Sequence, residues 1–230
     1  MPRPTDVESH VVDCNARSGE RAGMVMEPVV LEGRHVRLEP LALEHAAALW
    51  AASVDPELHR YRPWVMRSEG DLRQFIELTQ RQHAAGQGLS FATIARDRDE
   101  IVGSSSFMAA DWPHRRVEIG ATWITPARQR TAINTEAKYL MLRHAFEALG
   151  LLRIEFKTDS LNARSRAALL RIGATEEGTF RNHMVMPDGR RRHSVYFSII
   201  AEEWPAVKTR LEALLISHDV AQAPGAQASG

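Results

Sequence analysis

The chain has 230 residues, 44% of them hydrophobic and 25% charged, with 29 basic residues against 29 acidic ones. That composition belongs to a globular protein, long enough for a substantial core in one large domain or two small ones. A formal net charge of zero gives no global field that would favour nucleic acid, and no apolar run approaches the roughly 18 residues a membrane span needs.

Residues 1–27 are polar, carry no apolar signal core and read as a flexible extension. Residues 217–230 are low-complexity and read as a disordered tail. A domain over 28–216 remains. The single cysteine, Cys14, excludes an intrachain disulfide and points to the cytoplasm.

In chain order, HVRLEPLAL (35–43) opens as an alternating strand. Residues 43–53 read as a short helix with Leu43, Ala46, Ala47 and Trp50 on one face. Ser68 caps a second helix to about residue 85, with Leu72, Phe75, Ile76 and Thr79 at helical spacing. Strands follow at 89–96 and 101–108, joined by a charged hairpin. In the next strand, 115–125, simple alternation puts Val117, Ile119, Ala121 and Trp123 on one face and Glu118, Gly120, Thr122 and Ile124 on the other.

The stretch PARQRTAINTEAK (126–138) leads into a helix expected from about residue 134 to Leu149. LLRIEFKT (151–158) is a strand with Leu152, Ile154 and Phe156 inward, and 162–172 is a helix stopped by Gly173. Two strands flank a turn at Pro187, Asp188 and Gly189, and a last helix starts near 202–205. The order describes one α/β domain with a mixed sheet.

Ligands of such sheets gather at the carboxyl ends of strands, near helix N-termini. The loop after strand 115–125 brings Arg128, Arg130 and several backbone amides to such a point. On composition alone the reading as a polar loop without a ligand comes first. Glu118 reads as a carboxylate on an exposed sheet face, or one paired with Arg115 or Arg116. Asn162 or Ser160 would cap a helix. Trp64 is either a lid aromatic or a core anchor, and His183 in a strand reads as structural. The histidines show no metal-ligand spacing and there is no Walker loop.

As an ordered series, LEGRHVRLEPL, VEIGATWITP, the 126–138 stretch and the run from Thr135 to Ile200 resemble the Gcn5-related N-acetyltransferase family. The closest resemblance is to its ribosomal-protein-acetylating, RimJ/RimL-like branch, over roughly residues 29–207. It implies an α/β (α+β) fold with about seven strands and a splayed parallel pair, 115–125 and 151–158. It also implies acetyl-CoA as cosubstrate, no metal, and direct attack by a primary amine. The acceptor would be a small molecule or a protein N-terminus. Nucleic acid and membrane are not implied as partners, while homodimers are common among such relatives. A succinyl-CoA-type donor and a CoA-binding module without turnover are the alternatives.

The family's phosphate motif, Gln/Arg-x-x-Gly-x-Gly/Ala, falls on Gln129, Arg130, Thr131, Ala132, Ile133 and Asn134, followed by Thr135. Both small positions are altered, to Ala132 and Asn134. The pantetheine arm would pair with backbone around Trp123, Ile124 and Thr125. Glu118 would be the base and Ser165, in the family's Asn-x-x-Ser, the acid. Asn162 and Arg164 would lie at the CoA, with Tyr61, Trp64 and His183 flanking the acceptor.

Overall fold

The computed structural model describes residues 25–222. Eight strands form one open sheet: β1 (Leu31–Glu32), β2 (Val36–Pro40), β3 (Leu89–Ala95), β4 (Glu100–Asp111), β5 (Arg116–Ile124), β6 (Arg153–Asp159), β7 (Thr175–Val185) and β8 (Arg191–Ile200). Their order is β1-β2-β3-β4-β5-β6-β8-β7. Neighbours run antiparallel except β5 and β6, which are parallel. The strand beyond the expected seven is the two-residue β1.

Helices α1 (Ala46–Ala52), α2 (Glu69–Ala84), α3 (Ala132–Arg143), α4 (Ala163–Ile172) and α5 (Trp204–Gln222) flank the sheet. Adjacent residues of β3 show the two layers. Phe91 packs into the larger core with α3 and α5, while Ala92 packs into a smaller one with Leu49, Leu72 and Ile76 of α1 and α2.

Local chemistry sets the helix ends. Ser68 Oγ accepts from the Asp71 amide at the start of α2, and Asn162 Oδ1 accepts from the Ser165 amide at the start of α4. Gly173 closes α4 at φ 98°. Thr131 caps α3, so that helix begins at Ala132, two residues before the expected start, and Asn134 is neither its cap nor left-handed. Past Arg143, α3 widens into a π-helical turn over His144–Ala148.

Several expectations shift. Buried α1 positions are Ala46 and Leu49; Leu43 and Ala47 are exposed. Leu152 is exposed and Leu151 is buried, because β6 starts only at Arg153. At the chain's ends, Met26 belongs to the core. Helix α5 continues past residue 216, and its Asp219 pairs with Arg34 and His35. Cys14 lies outside the described residues.

Candidate active site

Strands β5 and β6 share only three register pairs, the last being Glu118 with Glu155. Beyond it β5 stays with β4, while β6 follows β8 as far as Asp159 opposite Ser194. The two parallel strands therefore part at Glu118 and leave a cleft between their carboxyl ends. Just past that point β5 bulges. Gly120 pairs with Ser106 and Trp123 with Ser104, so Ala121 and Thr122 face Ser105 alone, with Ala121 at φ 49°.

The bulge corrects the expected alternation along β5. Val117, Ile119 and Ile124 lie in the α3-side core, and Thr122 bonds Lys138 of α3. Trp123 packs with the α1–α2 core, the face opposite Thr122. The extra residue inverts the facing of every side chain after it.

Glu118 is 7% exposed. Its Oε2 accepts from Lys157 Nζ at 3.0 Å, while Oε1 has no hydrogen-bond partner among the described residues. A Cβ on Gly120 would sit 2.8 Å from Oε1, so the absent side chain makes room for the carboxylate. The carboxylate is thus neither on an exposed face nor paired with Arg115 or Arg116. Those arginines serve Gly150 and the carboxylates of Asp111 and Glu155.

The loop after β5 resolves residue by residue. Arg128 is spent on Asp97 and Glu100 at 2.8 and 2.9 Å, and its bonds to Glu100 and Asp97 hold the guanidinium pKa above the ordinary value. It is not free for an anion, contrary to expectation. Arg130 is exposed, with no ion pair among the described residues, and sits at φ 62°. Thr131 Oγ1 takes the Ile133 amide. Among the described residues the amides of Arg130, Thr131, Ala132 and Asn134 have no acceptor, as the first amides of a helix do not. Ala132 and Ile133 side chains are buried. The Thr135 hydroxyl is also buried and accepts from Arg171 Nη2, so it does not face the cleft.

Backbone contacts near the end of β5 are narrower than expected. The Thr125 amide is committed to the Val102 carbonyl, and the Trp123 carbonyl faces Gly103 of β4. Strand alternation leaves Ile124 pointing its polar groups to the cleft side. Its carbonyl accepts from Gln129 Nε2 at 2.8 Å. Gln129 Oε1 in turn accepts from Arg164 Nη1 at 2.7 Å, joining the two rims of the cleft through residues expected at the CoA. Asn162 caps α4, and the Ser165 hydroxyl makes no hydrogen bond among the described residues. No hydrogen bond joins Glu118 to Ser165.

On the other side, the segment 53–68 crosses from β5 to β8. The Tyr61 carbonyl accepts from Arg192 Nη1 at 3.2 Å, and the Arg62 guanidinium lies 5.3 Å from the Trp123 ring centroid. Trp64 stacks on Phe75 at 5.9 Å, which makes it an anchor of the α1–α2 core. His183 Nδ1 bonds Ser194 Oγ, and its ring meets Tyr196 edge-on at 5.8 Å. Lys157 Nζ lies 5.8 Å from the centroid of the same Tyr196 ring. A chain of side chains therefore runs from Glu118 to His183 across the sheet. Burial first, then Lys157 and Arg192, lower the His183 pKa, against an opposing effect of Glu118.

Sequence reading missed Arg62, Lys157 and Lys138. Lys138 projects from α3 and donates to Ser105 Oγ at 3.1 Å and Thr122 Oγ1 at 2.6 Å, clamping the bulge. The run TEAK carries it, but a lysine at that spacing reads as a helix's solvent face, not as a buried group. Among the described residues no group of three or more His, Cys, Asp or Glu side chains could hold a metal ion.

Residues 35–175 match the acetyltransferase (GNAT) domain model. An uncharacterized N-acetyltransferase, YoaA of Bacillus subtilis, is 30% identical over 67% of this chain and 88% of its own. A solved putative acetyltransferase from T. thermophilus is 40% identical, with a TM-score of 0.75 over 84% of this chain and 100% of that one. RimJ of Mycobacterium smegmatis, solved in complex with CoA-disulfide, is 25% identical, with a TM-score of 0.72 over 82% of this chain and 95% of that one. With its splayed β5–β6 pair and this match, the chain belongs to the GNAT acetyltransferase family.

Proposed function

We propose that the protein transfers an acetyl group from acetyl-CoA directly onto a primary amine, a protein N-terminus or a small-molecule amine. The observation that carries this reading is Glu118. It is buried where β5 and β6 part, with one oxygen held by Lys157 and the other free to take a proton. A buried, oriented carboxylate at a cleft is what removal of an ammonium proton, directly or through a water, requires.

The rest of the cleft supports the reading. The free amine nitrogen would attack the thioester carbon and the C–S bond would break. The departing thiolate would take a proton, for which the unbonded Ser165 hydroxyl is the donor we assign. The open amides at 130–134 and the exposed Arg130 suit the phosphates of acetyl-CoA. Ala132 and Ile133 would contribute only their backbone, since their side chains turn into the core. The CoA-disulfide in the similar RimJ structure supports a CoA thioester as donor. A lone cysteine supports a cytoplasmic setting, and no helix among the described residues is long and apolar enough to cross a membrane.

Purified protein would be assayed for thiol release from acetyl-CoA and from succinyl-CoA across a panel of amines and peptides, with CoA titrated by calorimetry. Amine-dependent thiol release from acetyl-CoA is the expected result. CoA binding without release from any acceptor would reduce the protein to a binding module, and absence of CoA binding would overturn the reading altogether.

A further inference from the structure

A narrow pocket lies between the segment 53–68, the α1–α2 core and the bulged part of β5. Its walls include Leu49, Leu72 and Phe75, and its polar atoms come from Arg62, Trp64 and Ser104. Arg62 Nη2, Trp64 Nε1 and Ser104 Oγ are all buried with no hydrogen-bond partner. Only five such side-chain atoms occur among the described residues, and three of them meet here. Folded proteins satisfy nearly all their buried polar groups, so this concentration marks a place built for something that accepts hydrogen bonds.

The charge says what. Arg62 makes no ion pair among the described residues. Its Nη1 meets His59 Nδ1 at 3.3 Å, while His59 Nε2 donates to the Ser53 carbonyl at 2.7 Å, leaving Nδ1 as the acceptor. The cation is therefore held by a neutral ring and by the Trp123 face. Burial with no carboxylate nearby lowers its pKa to about 10. A buried guanidinium left without a counter-charge is strongly unfavourable, and a carboxylate accepting from Arg, Trp and Ser donors would relieve it.

We infer that this pocket binds a carboxylate carried by the acceptor amine. The inference rests on the acetyltransferase reading above. It also sets a length. Ala121, on the pocket wall, lies three residues along β5 from Glu118, at most roughly 10 Å at the rise of an extended strand, since the bulge shortens β5 there. An α-amino acid, with its carboxylate on the carbon that bears the nitrogen, is too short. A primary amine with a carboxylate several bonds away, such as an ω-amino acid or an acidic peptide N-terminus, fits. The cavity holds only about 10 Å³, room for a single water, so the inference requires segment 53–68 to move outward when the acid enters.

The test compares 6-aminohexanoate with 6-aminohexanamide, and an amidated tripeptide bearing Glu at its third position with the same peptide bearing Gln. In the wild type, kcat/KM should favour the acid of at least one pair by about tenfold or more, the cost of leaving a charged partner unpaired. Preference for the ω-amino acid alone identifies a terminal carboxylate, and preference for the peptide alone a side-chain one. Arg62→Gln should collapse the acid-to-amide ratio towards one, and Arg62→Lys should keep part of it. A merely structural Arg62 would lower acid and amide together, and that result overturns the inference, as does an equal ratio in the wild type. A second measurement is independent of turnover. The acid of the preferred pair should raise the Tm of the wild type more than its amide does, and this difference should vanish in Arg62→Gln. No difference in the wild type means an ordered water fills the pocket, and the inference fails even if acetyl transfer stands. A Tm difference without thiol release from any acceptor would keep the carboxylate site and sink the acetyltransferase reading instead.

Discussion

Lys157 holds Glu118 across the cleft, Nζ to Oε2 at 3.0 Å, just beyond the last register pair that joins β5 to β6. Lys157 compensates the charge of the buried carboxylate and fixes its orientation, leaving Oε1 open. Glu118→Gln keeps the shape and removes the base. We expect kcat to fall by about 100-fold or more, with CoA affinity by calorimetry unchanged. Lys157→Met should also lower kcat, yet add little in the Glu118→Gln background, because both changes act on one carboxylate. Additive losses would show that Lys157 works elsewhere.

Gly120 offers a test that leaves Glu118 in place. An alanine Cβ there would meet Glu118 Oε1 at 2.8 Å and Met108 Sδ at 2.9 Å. Both are ends of flexible side chains, so the sheet can keep its pairing while the carboxylate is pushed aside. Gly120→Ala should therefore cost about tenfold or more in kcat, since a small misplacement of a reacting group is enough, with only a modest change in Tm. Wild-type kcat in this variant would mean the position of Oε1 does not matter.

Elements whose cause is local were legible in the sequence. The cap at Ser68, the cap at Asn162 and the turn at Gly189 each follow from a residue and its near neighbours. The Glu118 position was legible from the resemblance. The β5 bulge was not, because it is a property of pairing with Ser105 and leaves no mark on VEIGATWIT itself. Arg128 looked free because its partners, Asp97 and Glu100, lie on a hairpin far earlier in the chain. Ile154 and Phe156 are inward as their alternation indicates, but Leu152 is not, because it precedes the strand, which starts only at Arg153, and Leu151 takes the buried place instead. Arg62 gave no signal at all, since its meaning lies in having no carboxylate beside it.

Glu136, adjacent in sequence to the buried Thr135, has a structural task. Its carboxylate accepts from the amides of Arg34, His35 and Val36 at 2.8, 2.6 and 2.8 Å, tying α3 to the turn between β1 and β2. A Cβ on Gly33 would lie 2.3 Å from its Cδ. Glu136→Ala leaves three amides without their acceptor and should cost about 3 kcal/mol in urea denaturation. Gly33→Ala should destabilise the wild type and be nearly neutral once Glu136 is gone, a coupling that a double-mutant cycle measures. Independent costs would rule out the contact.

Lys138 ties stability to pH. Its Nζ is buried among Ser105 and Thr122, with no carboxylate bonded to it, and burial lowers its pKa from 10.5 to about 7. In the unfolded chain the ammonium keeps its ordinary pKa. Between the two values the unfolded state therefore binds more protons than the folded one. The sign follows: stability rises as pH climbs from about 7 towards 10.5, by up to about 1.4 kcal/mol per pH unit. Below about 7 both states are protonated and the full penalty of burying the charge is present. Lys138→Met fills the same space without a charge. It should raise the Tm near neutral pH and flatten the rise of denaturant stability between about pH 7 and 10.5. It also releases the clamp on the bulge, so kcat should fall even where stability improves. If Lys138→Met keeps the wild-type pH slope, the ammonium is not the group that titrates, and another buried group must carry the dependence.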